Sequence, residues 1–330
     1  MKKFFIALFC ILFAMPFCFV GCSCNKDSNT IRLCEVTHSI FYAPLYIAIN
    51  KGYFEDYDIK IELTNGGGAD KCMSALTSNS ADIALMGPEA TIYVAKQGKK
   101  DMPVVFGQLT KRDGSFIIGR EATDNFSWSM LDNKEILGGR RGGVPAMTLE
   151  YAIESNNVQN CTINYDVAFD NLTSAFIGGT GDFVTAFEPA ASAIAETGRG
   201  YILASVGAET GEIPYTAFTA NTSYINKNTD TIKNFLRAIM KGYNYLMSAQ
   251  IDDIVDALSP SFTGTSKESI KNSIQKYIAI DSWNSTPVMT EVAYNNLIKV
   301  MKNAGSITET VPFASVVNNS YALAVLSESV

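Results

Sequence analysis

A single histidine, His38, is all this chain offers for imidazole chemistry. Its seven cysteines include no C-x-x-C pair, so no zinc centre or thioredoxin-type motif is indicated. A G-x-S-x-G serine elbow is missing, as is a glycine-rich phosphate loop ending in lysine-serine. No run of basic residues occurs, and 26 Lys and Arg stand against 33 Asp and Glu, a net charge of −7. That balance makes a poor nucleic-acid binder. After the first twenty residues no apolar run is long enough to span a bilayer, which takes about 20 residues. These absences point away from hydrolase, metal, nucleotide and nucleic-acid chemistry, and no metal or cofactor is called for. What remains is a chain of 330 residues, a fitting length for two domains, with 47% apolar residues to fill their cores.

The N-terminus reads as a separate object. Met1-Lys2-Lys3 is basic, residues 4–19 are almost wholly apolar, and Phe19-Val20-Gly21-Cys22 follows. This is the layout of a secretory signal. A cysteine after a small residue resembles the lipidation site of a bacterial lipoprotein, which makes Cys22 the lipid acceptor and residues 1–21 the signal peptide. An uncleaved N-terminal anchor is the alternative, and both put the rest of the chain outside the cytoplasm. Residues 22–29 are small and polar and read as a tether. Cleavage removes Lys2 and Lys3 and no acid, which moves the net charge to −9. Cys34, Cys72 and Cys161 then read as buried free thiols. In an oxidising compartment a Cys34–Cys72 disulfide is open as well, and the sequence does not place it.

From residue 30 the chain alternates strand and helix. Strands are expected at 31–36, 59–63, 81–86 and 103–109, with helices at 43–51, 69–77 and 90–96 between them. After a break at Lys111-Arg112-Asp113-Gly114, a second series runs through strands 115–119, 135–138, 162–167, 183–187 and 201–205. Helices 147–155, 171–176 and 190–196 are interleaved with it. Such alternation argues for mostly parallel sheets covered by helices. A strand at 215–220 returns from a second break. The amphipathic helix 231–247 follows, with Ile232, Phe235, Leu236, Ile239 and Tyr243 on one face. Further helices are expected at 251–258, 267–277, 290–304 and 313–326. The expected organisation is one lobe from 30–112 plus 216–330, including a helical tail, and a second lobe from 113–215. Two crossings make a two-strand hinge.

In open α/β sheets ligands bind beyond the carboxyl ends of the strands, and the candidate residues sit there. His38, Phe41 and Tyr42 precede the first helix. Both rings are placed for stacking or, alternatively, belong to the core, and His38 is either a ligand contact or a polar turn residue. Gly66-Gly67-Gly68 lets a backbone approach something closely, or is a plain flexible turn; Gly67 and Gly68 are the candidate contacts. Gly87-Pro88-Glu89 ends the third strand, and Phe187-Glu188-Pro189 is the corresponding feature of the second lobe. Glu89 and Glu188 face a shared cleft in one reading, with Pro88 and Phe187 beside them; in the other, a glutamate at a helix start is simply stabilised by the helix dipole. Arg140-Arg141-Gly142-Gly143 is a candidate anion or carbonyl cradle at a helix start, in which Gly142 and Gly143 supply the backbone. The arginines read equally as a solvated surface pair. Asp113 and Tyr215 mark the two crossings.

Phe41-Tyr42-Ala43-Pro44-Leu45-Tyr46-Ile47-Ala48, Lys51-Gly52-Tyr53-Phe54, the triple glycine and Ala81-Asp82-Ile83-Ala84 together resemble the substrate-binding proteins of bacterial ABC importers. The likeness is to the nitrate, sulfonate, taurine and thiamine-precursor branch, over roughly residues 30–250. It implies a two-lobed periplasmic-binding-protein fold, a small-molecule ligand, a membrane permease with its ATPase as partners, and a lipid-anchored monomer. The same branch includes a fungal-type enzyme family that makes the thiamine pyrimidine, with a histidine near the first turn and a cysteine-rich motif. That motif is absent here, so a binding protein rather than an enzyme is expected. The paired glutamates and the aromatics Phe41, Tyr42, Phe187 and Tyr215 favour a nitrogen-rich ring such as a pyrimidine thiamine precursor. An alkanesulfonate, taurine or nitrate is the alternative, and a ligand-sensing receptor is another.

Overall fold

The computed structural model describes residues 29–98 and 101–328. The expected signal peptide, the expected lipid acceptor Cys22 and all but the last residue of the expected tether therefore lie outside the described residues.

Two five-stranded sheets organise the chain. The first contains β1 (Thr30–Glu35), β2 (Lys60–Asn65), β3 (Ile83–Met86) and β4 (Pro103–Thr110). The second contains β5 (Phe116–Gly119), β6 (Glu135–Leu137), β7 (Thr162–Asn164), β8 (Phe183–Ala186) and β9 (Tyr201–Ser205). Strand β10 (Thr216–Asn221) returns to the first sheet. The spatial orders are β2-β1-β3-β10-β4 and β7-β6-β8-β5-β9. In each sheet the strand next to the edge, β10 or β5, runs antiparallel to both of its neighbours. These two are the crossing strands, so each sheet carries one reversed strand where the sequence pattern suggests parallel pairing. Each reversal follows from a strand entering from the other lobe rather than through a local helix.

In the first lobe α1 (Ala43–Asn50), α2 (Ala69–Thr77) and α3 (Glu89–Ala95) connect the strands, and in the second α4 (Val144–Ser155), α5 (Leu172–Ile177) and α6 (Ala190–Glu196) do so. Two short helices, α7 (Val206–Thr210) and α8 (Thr222–Lys227), are not anticipated by the sequence pattern, being too brief for a periodicity to show. The amphipathic helix is α9 (Thr229–Ser248), and its apolar stripe buries Ile232, Phe235, Leu236 and Ile239. Helix α1 is apolar from Ala43 to Ile49 and packs on α9 and α10, with Ala43 through Ala48 buried. A Cβ on Gly242 of α9 would sit 2.1 Å from the Pro44 carbonyl oxygen, so only glycine lets these helices approach so closely. Each fully buried Phe or Ile of this core is worth about 1.5–3 kcal/mol.

The tail comprises α10 (Ile251–Leu258), α11 (Lys267–Ala279), α12 (Glu291–Asn303) and α13 (Ser320–Ser327). It is more than an appendage of the first lobe. Helix α12 packs on α4 of the second lobe, and α11 presents Lys276 and Tyr277 to Glu188. Within the first crossing, the Asp113 carboxylate accepts from the Ser115 amide (2.7 Å) and from the Thr148 hydroxyl on α4. A Cβ on Gly207 of α7 would lie 2.0 Å from the Asp113 carbonyl oxygen, and the second crossing runs beside the first, the Ile213 and Tyr215 amides donating to the Lys111 and Thr110 carbonyls at 3.0 and 3.1 Å.

Candidate functional site

Strand ends from both lobes converge on one cavity of about 240 Å³. From the first lobe come Thr37 after β1, Gly67 and Gly68 after β2, and Gly87 and Glu89 after β3. The second lobe contributes Gly143 and Val144 at the start of α4, Tyr165 and Phe169 after β7, and Phe187 after β8. Tyr215 and Thr216 line it from the returning crossing.

Local sequence explains how each first-lobe turn holds its shape. Ser39 caps the turn before α1, its Oγ accepting from the Phe41 amide at 3.1 Å. Pro44 follows in the first helical turn, where its missing N–H is not needed. Gly67 has φ +67°, and a Cβ there would meet the Asp170 carboxylate at 2.4 Å. The glycine therefore serves both the turn and the close approach of the second lobe. Gly87 has no side chain where the Glu89 carboxylate folds back, 1.9 Å from where a Cβ would stand.

The lobes touch around the cavity. Tyr93 on α3 donates to the Gly142 carbonyl at 2.8 Å. Arg140 and Asp70 pair at 3.3 Å, both about half exposed. Ser39 donates to the Glu188 carbonyl at 2.6 Å.

Glu89 is the most constrained group facing this space. It is 1% exposed. The amides of Glu89 and Ala90, at the start of its own helix, and of Val144, at the start of α4, face its carboxylate. These amides and Arg140 favour the charged form, but burial outweighs them and pushes the carboxyl up to about 7. Its Oε2 is buried without a hydrogen-bond partner. A buried carboxylate oxygen without a partner beside a cavity is a candidate acceptor, which a solute reaches only if the oxygen shifts toward the space. Around it Tyr42, Phe187 and Tyr215 form an aromatic wall, with Phe187 and Tyr215 centroids 6.1 Å apart.

Of the residues singled out in the sequence, Tyr42, Gly67, Gly68, Glu89, Gly143, Phe187 and Tyr215 come together on the lining. Pro88 and Gly142 flank it through the chain. Phe41 does not reach it: the ring is fully buried behind the wall, 5.8 Å from Tyr42 and 5.7 Å from Tyr215. Asp113 is likewise buried behind Tyr215, fastening the crossing, and burial raises its carboxyl to about 6. The structure places His38 outside the lining, with Nδ1 2.9 Å from Glu35 and Nε2 2.7 Å from the Ser261 carbonyl. Glu188 does not face the cavity either. Its carboxylate is fully buried, held by the Lys276 ammonium at 2.6 Å and by the amide and hydroxyl of Ser192 at 3.0 Å. The expected glutamate pair is thus a single available carboxylate. Of the arginine pair, Arg140 lines the cavity while Arg141 stacks 4.0 Å over the Tyr165 ring.

Asp70, Lys71, Tyr165 and Phe169, not marked out by the sequence pattern, also line the cavity. Asp70 and Lys71 directly follow the triple glycine, and that adjacency was the available signal. Apolar and polar residues go on alternating past Asn164, where β7 ends, so the pattern alone extends the strand over Tyr165.

Comparison with known proteins agrees with this architecture. Residues 40–251 match the family model described as NMT1/THI5 like. A Bacillus subtilis (strain 168) protein named "Putative binding protein YtlA" is 38% identical over 317 residues, covering 95% of each chain. A ligand-binding component of an ABC-type import system from Staphylococcus aureus, solved with zinc bound, superposes with TM-score 0.73 at 14% identity, over 89% of this chain and 98% of that one. The alkanesulfonate-binding protein SsuA of Xanthomonas axonopodis pv. citri, bound to MOPS, gives 0.68 at 14% identity, over 88% and 99%. The shared fold is the two-lobed periplasmic-binding-protein fold.

Proposed function

The chain belongs to the NMT1/THI5-like family, and from that premise we propose that it is the extracytoplasmic solute-binding protein of an ABC importer rather than an enzyme. In this reading Cys22 carries a lipid that holds the protein at the membrane beside its permease and ATPase. The solute is a small flat nitrogen-containing aromatic, of which a pyrimidine-type thiamine precursor is the model. It would lie against Tyr42, Phe187 and Tyr215 and donate an N–H to Glu89. The observation that carries this choice is the unpartnered Glu89 Oε2, buried at the edge of an aromatic-walled cavity.

Arg140 and Lys71 also line the cavity and favour a second reading, an alkanesulfonate or similar anion. Two facts weigh against it. Arg140 is already paired with Asp70, and the α4 N-terminus, where an anion would gain most, already faces the Glu89 carboxylate. Contacts to both lobes are what would make the ligand favour closure. Isothermal titration of the protein with an aminopyrimidine, taurine, an alkanesulfonate and nitrate decides between the readings. Binding of the aminopyrimidine alone supports the first; binding of a sulfonate or nitrate alone overturns it.

A further inference from the structure

The glycine turn on the cavity rests on two sulfur atoms. Cys34 on β1 and Cys72 on α2 are 38 residues apart in sequence, and their Sγ atoms lie 3.3 Å apart. Both thiols are free and buried. They sit in a small apolar cluster with Met73, Leu76 and Met86, separate from the main core. A Cβ on Gly66 would stand 2.7 Å from the Cys72 sulfur and 3.0 Å from that of Cys34. The backbone leading to Gly67 and Gly68 is therefore laid directly on the pair. A shared metal has no support, since among the described residues no group of three His, Cys, Asp or Glu side chains could hold one.

We propose that Cys34 and Cys72 form a disulfide when the chain folds outside the cytoplasm, and that this bond stiffens the Gly66–Gly68 turn beneath the ligand. A disulfide needs its sulfurs about 2.05 Å apart, so a small side-chain rotation from the observed contact suffices. The contact between the two sulfurs lowers the Cys34 thiol and raises its partner, which favours Cys34 as the attacking sulfur. Its thiolate attacks a low-molecular-weight disulfide such as oxidised glutathione, expelling one thiol and leaving a mixed disulfide on Cys34. The Cys72 sulfur then attacks Cys34 and expels the second thiol. The two cysteine protons end on the two released thiols, and the two electrons lost by the protein reduce the external disulfide. The secretory layout of residues 1–22 puts this chemistry where disulfides persist. The inference does not depend on which solute is bound.

The test uses the full chain, exported through its own N-terminal segment, alkylated under denaturing non-reducing conditions and digested with trypsin. The expected product is peptide 33–51 joined to peptide 72–96 and released by reduction. Alkylation of both cysteines, before and after incubation with oxidised glutathione, overturns the proposal, as does linkage of either to Cys161. Reduction should lower the thermal midpoint by about 5 °C and speed amide exchange in residues 65–72 about tenfold or more. The double variant C34S/C72S should show no response to reductant. Unchanged exchange in the linked wild type on reduction overturns the claim about the turn.

Discussion

β3 and β8 are the central strands of two sheets with the same strand order, and each is followed by a glutamate. Glu89 and Glu188 are both buried, yet their chemistry diverges. Glu188 is met by Lys276 and Ser192, and with three donors it behaves as a structural fastener between the second lobe and the tail. Glu89 faces backbone amides of two helix starts and keeps one oxygen unmatched beside the cavity. The difference teaches that position in the topology does not assign a role. What assigns it is whether another part of the chain reaches the carboxylate. Helix α11 reaches the second lobe at Glu188, and among the described residues no side chain does the same for Glu89 Oε2.

The sharpest way to break this comparison is titration. The folded value of Glu89, about 7, lies above its ordinary 4.5. Between those values the folded protein holds a proton that the unfolded chain has released. Stability of the ligand-free protein should therefore fall as pH rises from about 4.5 to about 7, by about 3 kcal/mol. Asp113, at about 6 against an ordinary 3.8, contributes in the same direction at lower pH. Urea denaturation from pH 4.5 to 8 should show the fall in wild type and a shallower one in Glu89→Gln. An identical slope in the variant would remove Glu89 as its source.

Next in size is Lys276→Met, which leaves the Glu188 carboxylate buried with only Ser192. A loss of about 2–3 kcal/mol in unfolding free energy, read from the denaturant midpoint, is expected. It is placed below the loss typical of a fully buried pair because Lys276 is about a third exposed. Solute affinity should change less than threefold.

Glu89→Gln should weaken binding of an N–H-donating ring roughly 30-fold by calorimetry, since the acceptor loses its charge. Glu188→Gln should leave affinity within threefold. Equal losses in the two variants would mean that both glutamates see the solute. Wild-type affinity should also strengthen as pH rises through about 7, because the carboxylate is the accepting form. A small effect is also expected of Arg140→Gln. Its pair with Asp70 is about half exposed, worth under about 1 kcal/mol, so affinity should move less than fivefold. A hundredfold loss would restore the anion reading.

Much of the scaffold was legible in the sequence. Helices 69–77, 190–196 and 251–258 and strand 201–205 coincide with the observed α2, α6, α10 and β9, because periodicity, flanking glycines and prolines are local signals. Seven of the thirteen candidate residues reach the lining, because strand-end turns are local as well. Pro88 and Gly142 flank it, and the remaining four depend on distant partners. His38 is claimed by Ser261, 223 residues away, Glu188 by Lys276, 88 residues away, and Phe41 is enclosed by aromatics from both lobes and the tail. No spacing rule within one segment carries such information.

The sequence by itself therefore determined the alternation of strand and helix, the turns aimed at a common place, and the kinds of side chain offered there, since each depends on residues only a few positions apart. Tertiary structure alone decided that one glutamate is spent on Lys276 while the other keeps a free oxygen. It also decided that two cysteines meet beneath the glycine turn, and that a tail helix fastens both lobes. A buried charge or thiol takes its properties from what lies within a few ångströms, and in this fold those neighbours come from remote parts of the chain.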